Sequence, residues 1–263
     1  MALEFVDGGD VQIEHLIVTI YGRPGVGKTS LALTAPSPLI LDFDGGIARA
    51  SNRAGKSVVR VRKWNDIARL EVKDLKDYKT IVVDTVGTAL SILAEDIVRK
   101  DRSMSRGSEG SLTLQGYGAL KSRFARWLGN IRRSNRDVVL VAHLSEEKRG
   151  DRHVDRIIAE GSSKMEIYSV SDLMGKLDFD SSEKKDDESA PRVIDFNPSR
   201  VGYGKNCGLP VLEIPHPSKR PDMLARILFS AKKRMNESMS ATPSHDGLTD
   251  DHPNKPEEEE EGK

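Results

Sequence analysis

Apolar residues fall in short blocks along the chain, each closed by a polar or glycine-bearing stretch. Residues 16–21, 39–43, 58–61, 80–83 and 137–144 form such blocks, and their length is that of strands buried on both faces. Elsewhere the spacing is helical. Ile67, Leu70 and Leu75 predict a helix over 64–78, and a second runs from just past Asp84 to Lys100. Over 113–134, Leu120, Phe124, Trp127, Leu128 and Ile131 share one face, opposite Lys121, Arg123, Arg126, Arg132 and Arg133. Further helices are expected over 163–173 and 221–235. Strands at 176–179 and 192–198 flank an exposed tip or loop at 181–190. Residues 101–112, DRSMSRGSEGSL, read as a polar loop without core-forming residues, and 199–215 are broken by Gly and Pro. Strands alternating with helices predict an α/β fold, a mostly parallel twisted sheet flanked by helices.

Composition places one boundary. Residues 1–236 form the expected domain, and 237–263 read as a low-complexity, disordered acidic tail. The tail from 246 holds eight acids against two lysines, so the first 245 residues carry 39 basic against 33 acidic groups beneath a net charge of zero. A basic body with an acidic tail fits a protein that handles nucleic acid, and equally an enzyme with a solubilising tail. The longest apolar runs, about six residues, are far short of a membrane span. No leader is expected at MALEFVDGGD, and a single cysteine, Cys207, excludes an intramolecular disulfide and suits a reducing cytoplasm.

The chemistry starts at GRPGVGKTS. Gly22, Arg23, Pro24, Gly25, Val26, Gly27, Lys28, Thr29 and Ser30 match the phosphate-binding pattern GxxxxGK[ST] between an expected strand and helix. Glycines let amide groups curl round phosphates, Lys28 reaches the β- and γ-phosphates, and the Thr29 hydroxyl ligates Mg²⁺. Asp84, ending the block IVVD, is the expected second contact to the metal. In LDFDGG, Asp44 would polarise the attacking water if its strand neighbours the phosphate loop, or else cap the Gly45–Gly46 turn. His143, at the end of VVLVAH, is either a γ-phosphate sensor or a structural strand-end histidine. Basic segments follow two of these strands: Arg99, Lys100, Arg102 and Arg106, then Lys148, Arg149, Arg152 and Arg156. Such segments suit a phosphate backbone, or a solvated face, and they lack the aromatics used for base stacking.

GRPGVGKTS, LILDFDGG, IVVDTVGTAL, the block from QGYGALKSRF to DVVLVAH, and GYGKNCGLP together resemble the phage-encoded, core-only ATPases of the RecA superfamily. This is the compact Sak-type group tied to single-strand annealing and homologous recombination. The likeness runs from about residue 15 to 235. It implies a RecA-like P-loop NTPase fold and a Mg²⁺-dependent, DNA-stimulated ATPase in the host cytoplasm. The cofactors would be ATP and Mg²⁺. Single-stranded DNA would be the ligand, with a head-to-tail ring or filament and a single-strand-binding protein as partners. By the same likeness Lys28, Asp44, Asp84 and His143 are catalytic, with Asp44 replacing the usual Glu and His143 the usual Gln. Segments 101–112 and 144–162 match two DNA-binding loops, presenting Arg102, Arg106, Lys148, Arg149 and Arg152. Lys205 matches the lysine of an element that reaches a neighbouring subunit's nucleotide, and Cys207 stands where that element carries Arg. Two other readings stay open: a helicase-like or packaging motor, and a small-molecule phosphotransferase with 144–156 as its lid.

Overall fold

The computed structural model describes residues 5–107, 111–160, 163–180, 191–197 and 202–240. The expected tip at 181–190 and the acidic tail beyond 240 lie outside the described residues. In chain order come β1 (Ile17–Gly22), α1 (Lys28–Ala32), β2 (Pro38–Asp42), β3 (Ser57–Arg60), β4 (Thr80–Asp84) and α2 (Val86–Lys100). Then follow β5 (Ser105–Arg106), β6 (Ser111–Leu112), α3 (Leu114–Arg132), β7 (Asp137–Arg149), β8 (Arg152–Ile157) and α4 (Ser163–Val170). The chain closes with β9 (Leu173–Phe179), β10 (Arg192–Asp195), β11 (Leu212–Ile214) and α5 (Met223–Ser240), which carries helix past the boundary expected at 236.

The main sheet has the order β11-β10-β9-β1-β7-β4-β2-β3, with β8 paired to β7. Every pair from β9 to β3 is parallel, and β10 and β11 run antiparallel at the other end. This is the mostly parallel α/β sheet that the apolar blocks predict. Period-two alternation sends Ile17, Tyr21, Leu41, Ile81 and Val83 to one face, against α2 and α3. Val18, Ile20, Ile40, Val82 and Val139 go to the other, against α1 and α5. With helices on both faces the central strands have no wet side, hence their continuous apolar runs. Each fully buried Leu or Ile there contributes roughly 1.5–3 kcal/mol.

Four segments differ from the sequence expectation. Residues 64–78 form two short 3₁₀ turns, Trp64–Asp66 and Val72–Leu75, in place of one helix. The Asp66 carboxylate accepts from the backbone N–H of Arg62 and Lys63, and Asp74 accepts from Glu71. Such short-range acceptors compete with helical hydrogen bonding. Residues 101–112 include a small β5–β6 ladder whose Leu112 is buried against the core. Residues 144–157 are no loop: β7 continues unbroken into a hairpin with β8, paired from Leu144↔Ile157 to Arg149↔Arg152. β11 lies within the stretch read as broken by Gly and Pro. Among the described residues, no helix is long and apolar enough to cross a membrane.

Candidate functional site

Register brings the polar strand ends to one edge of the sheet. Gly22 lies opposite His143 in the β1–β7 pair, and Asp84 lies opposite Asp42 in the β4–β2 pair. This is the carboxyl edge of the parallel strands, where open α/β sheets bind ligands.

The loop between β1 and α1 has the shape its glycines require. A Cβ on Gly22 would run into the Leu177 carbonyl of β9. Gly27 has φ of 97°, a conformation that side chains disfavour, and a Cβ there would collide with Arg192. Lys28 is 5% exposed, and its ammonium donates to the carbonyls of Gly22 at 2.9 Å and Arg23 at 2.8 Å. Burial lowers its pKa to about 8, against the pull of Asp84 and Asp44. Thr29 Oγ1 donates to Asp84 Oδ2 at 2.7 Å. Asp84 is 1% exposed, and burial raises its pKa to about 6, opposed by the Thr29 bond. Arg23 pairs with Glu146 of the hairpin at 3.3 Å; both side chains are exposed, so the pair adds little stability.

β2 does not adjoin β1, as the water-polarising role of Asp44 had supposed; β7 and β4 lie between them. Asp44 nevertheless reaches the site, because the chain folds back after Phe43. Its Oδ1 accepts from Gly46 N–H at 2.8 Å, so the capping role is realised too. Its Oδ2 lies 3.7 Å from His143 Nε2, in ion-pair range. His143 first, then the Gly46 amide, holds the Asp44 carboxyl below its ordinary range despite burial. Asp42 is raised by burial, and its Oδ1 has no hydrogen-bond partner among the described residues; the same is true of His143 Nδ1. Phe43 anchors this turn from below, edge-on to Trp127, which in turn packs on Trp64 and Phe124.

Lys28, Thr29, Ser30, Asp44, Asp84 and His143 thus line one cleft of about 400 Å³. Arg49 lines it as well and draws the Asp44 carboxyl further down. Sequence reasoning passed Arg49 over, although it stands five residues beyond Asp44. On the other side of Pro24 and Gly25 lies a hollow of about 700 Å³, lined by Phe179, Arg192, Glu213 and His216. A Thr hydroxyl and an Asp carboxylate in contact are hard oxygen donors suited to Mg²⁺. No cluster of three or more His, Cys, Asp or Glu able to hold a metal occurs among the described residues. A Mg²⁺ ion at Thr29 and Asp84 would therefore complete its shell with phosphate oxygens and water.

The remaining predicted residues lie apart from this cleft. Arg102 and Arg106 are exposed, but α2 separates them from Asp84 by its 15 residues, about 22 Å at the helical rise. Arg99 and Lys100 pair with the buried Asp96. Lys148 is exposed on the hairpin; the side chains of Arg149 and Arg152 lie outside the described ones. Arg156 turns inward over the Tyr203 ring, 4.4 Å from its centroid, and is withdrawn from any phosphate backbone. Lys205 does not extend outward as its expected role requires. Its ammonium donates to the carbonyls of Ser169 and Ser171, at the end of α4, and sits over Tyr168. Cys207 is part-buried against the α5 side of the core, where burial pushes its thiol pKa up.

The model of the AAA_24 family, described as an AAA domain, matches residues 14–207. The chain is 26% identical over 148 residues to the SPbeta prophage-derived uncharacterized protein YorG of Bacillus subtilis (strain 168). That match covers 52% of this chain and 44% of YorG, so the chain spans less than half the length of this relative. Among solved structures it is similar to the RadB recombinase, at 15% identity and a TM-score of 0.41, covering 68% of this chain and 79% of that one.

Proposed function

This chain belongs to the AAA_24 family of AAA domains, and we propose that it is an ATP-dependent, single-stranded-DNA-binding protein of phage recombination or strand annealing. Its coarser identity, a nucleotide-binding P-loop ATPase, rests on the family and on the complete phosphate-loop motif. The finer reading is supported above all by one feature: β7 runs without a break from His143 in the cleft into the β7–β8 hairpin.

The chemistry follows from the residues. Lys28 would exchange the Gly22 and Arg23 carbonyls for the β- and γ-phosphates. Thr29 and Asp84 would part to hold Mg²⁺, which when bound would supply positive charge beside the transferring phosphoryl group. Asp44, kept ionised by His143, orients the attacking water and accepts its proton. His143 meets the terminal phosphate side of the cleft and passes its presence or loss along β7 to the hairpin, where Lys148 faces solvent. The positive excess of the first 245 residues as a whole favours a polyanionic ligand.

The test is anisotropy of a labelled single-stranded oligonucleotide, with and without Mg-ATP, across a salt titration. Binding that needs Mg-ATP and weakens steeply with salt is the expected result. Binding that ignores nucleotide, or its absence in both states, would sink the proposal, as would unchanged ATP-dependent binding in Lys28→Ala.

A further inference from the structure

We infer that Arg192 is a phosphate-binding residue of this site, supplied in cis by the first position of β10. The inference rests on the nucleotide reading of the phosphate loop and adds a residue that the motif does not contain. β9 packs its Leu177 carbonyl on Gly22, and β10 runs antiparallel beside it with Arg192 opposite Phe179. That pairing brings the guanidinium against Gly27. A Cβ built on Gly27 would collide with Nη1 and stand 3.5 Å from Cζ. Arg192 is half-buried, and beyond its backbone pairing in β10 its guanidinium forms no hydrogen bond or ion pair among the described residues. Glu213, lining the same hollow, is not in ion-pair contact with it.

A guanidinium stays charged at any working pH and loses solvation when partly buried, so an unpaired one is poised for an anion. The loop beside it presents amide groups in the pattern that cradles phosphates. Phosphate oxygens match the guanidinium fork with two parallel hydrogen bonds. Arg192 approaches from the β9–β10 side of the loop, whereas Asp44 and His143 wall the opposite side, where the terminal phosphate belongs. Its partners are therefore oxygens of the α- and β-phosphates, which ADP and ATP share.

Fluorescent ADP and ATP analogues titrated with Mg²⁺ into wild type, Arg192→Met and Arg192→Lys test this. Met keeps the aliphatic stem, so the ligand-free melting temperature should stay at the wild-type value. Affinity of Arg192→Met should fall about tenfold or more for both nucleotides by the same factor, and Lys should recover part of it. Wild-type affinity in Arg192→Met, or a loss confined to ATP, overturns the inference. If Arg192→Met does not fold, Arg192→Lys carries the test: without the fork it should weaken ADP and ATP equally, and unchanged affinity overturns the inference. A wild type that binds neither nucleotide refutes the underlying nucleotide reading instead.

Discussion

Asp44 Oδ2 stands 3.7 Å from His143 Nε2, although their strands are separated in the sheet by β4. The contact exists because the chain doubles back after β2 and Gly46 fixes the carboxylate from the other side. It joins the candidate base to the candidate sensor, so a phosphate bound beside one would be felt by the other.

Replacing Asp44 by Asn keeps its shape and removes its charge. Steady-state phosphate release should fall by about 10²–10⁴-fold, the usual worth of a positioned base. Equilibrium binding of ATP should change little, because Lys28 and Thr29 are untouched. Loss of binding in step with turnover would show that Asp44 serves the loop's architecture instead.

Nucleotide binding should follow a bell-shaped pH profile. Below a pH of about 6 Asp84 is protonated and cannot hold the cation, so affinity for the Mg²⁺ complex falls as pH drops through that value. Above a pH of about 8 Lys28 is neutral, and affinity falls again as pH rises. Calorimetric titration from pH 5 to 9.5 checks both limbs; Asp84→Asn should erase the acid limb and, by removing a charge that holds the Lys28 pKa up, move the basic limb to lower pH.

Thr29→Val removes the hydroxyl while preserving volume. Mg²⁺ should then cease to strengthen ATP binding, whereas the affinity measured in chelator should remain near wild type. Persistent Mg²⁺ enhancement would move the cation away from Thr29.

Trp127 sits beneath the Asp44 turn through Phe43, with their ring centroids 6.5 Å apart. Trp127→Ala should cost about 3–5 kcal/mol of stability in denaturant unfolding, the range for a large buried aromatic. Trp127→Phe should cost far less, since the indole N–H has no partner to lose among the described residues. If the anchor matters for chemistry, Trp127→Phe at a temperature where it is folded should lower turnover before nucleotide affinity.

Much of the fold was legible because its central strands are buried on both faces and leave unbroken apolar runs. The phosphate loop was legible because phosphate chemistry dictates its residues one by one. Asp84 and His143 were visible as polar residues closing such runs. Arg49 and Arg192 were not, because a lone arginine carries no local pattern and only the sheet order brings Arg192 to Gly27. The 64–78 stretch misled because Ile67, Leu70 and Leu75 are spaced like a helix while Asp66 and Asp74 hold two tight turns. The hairpin was hidden in charge: SEEKRGDRHVDRI alternates too weakly to read as strands, yet Val154 and Ile157 are buried. Lys205 looked outward by resemblance, and the free carbonyls at the end of α4 drew it in.

The unbroken course of β7 has a mechanical consequence. Beyond His143 the first glycine is Gly150, at the turn itself, so the arm holds no soft joint between the cleft and its tip. Six residues from Leu144 to Arg149 project about 20 Å at the strand rise. A tilt of roughly 10° at the root would sweep the turn through about 3–4 Å over that length. The ribbon has the geometry of a lever rooted at the cleft: a small displacement of the His143 imidazole would become a movement the size of a side chain at its tip.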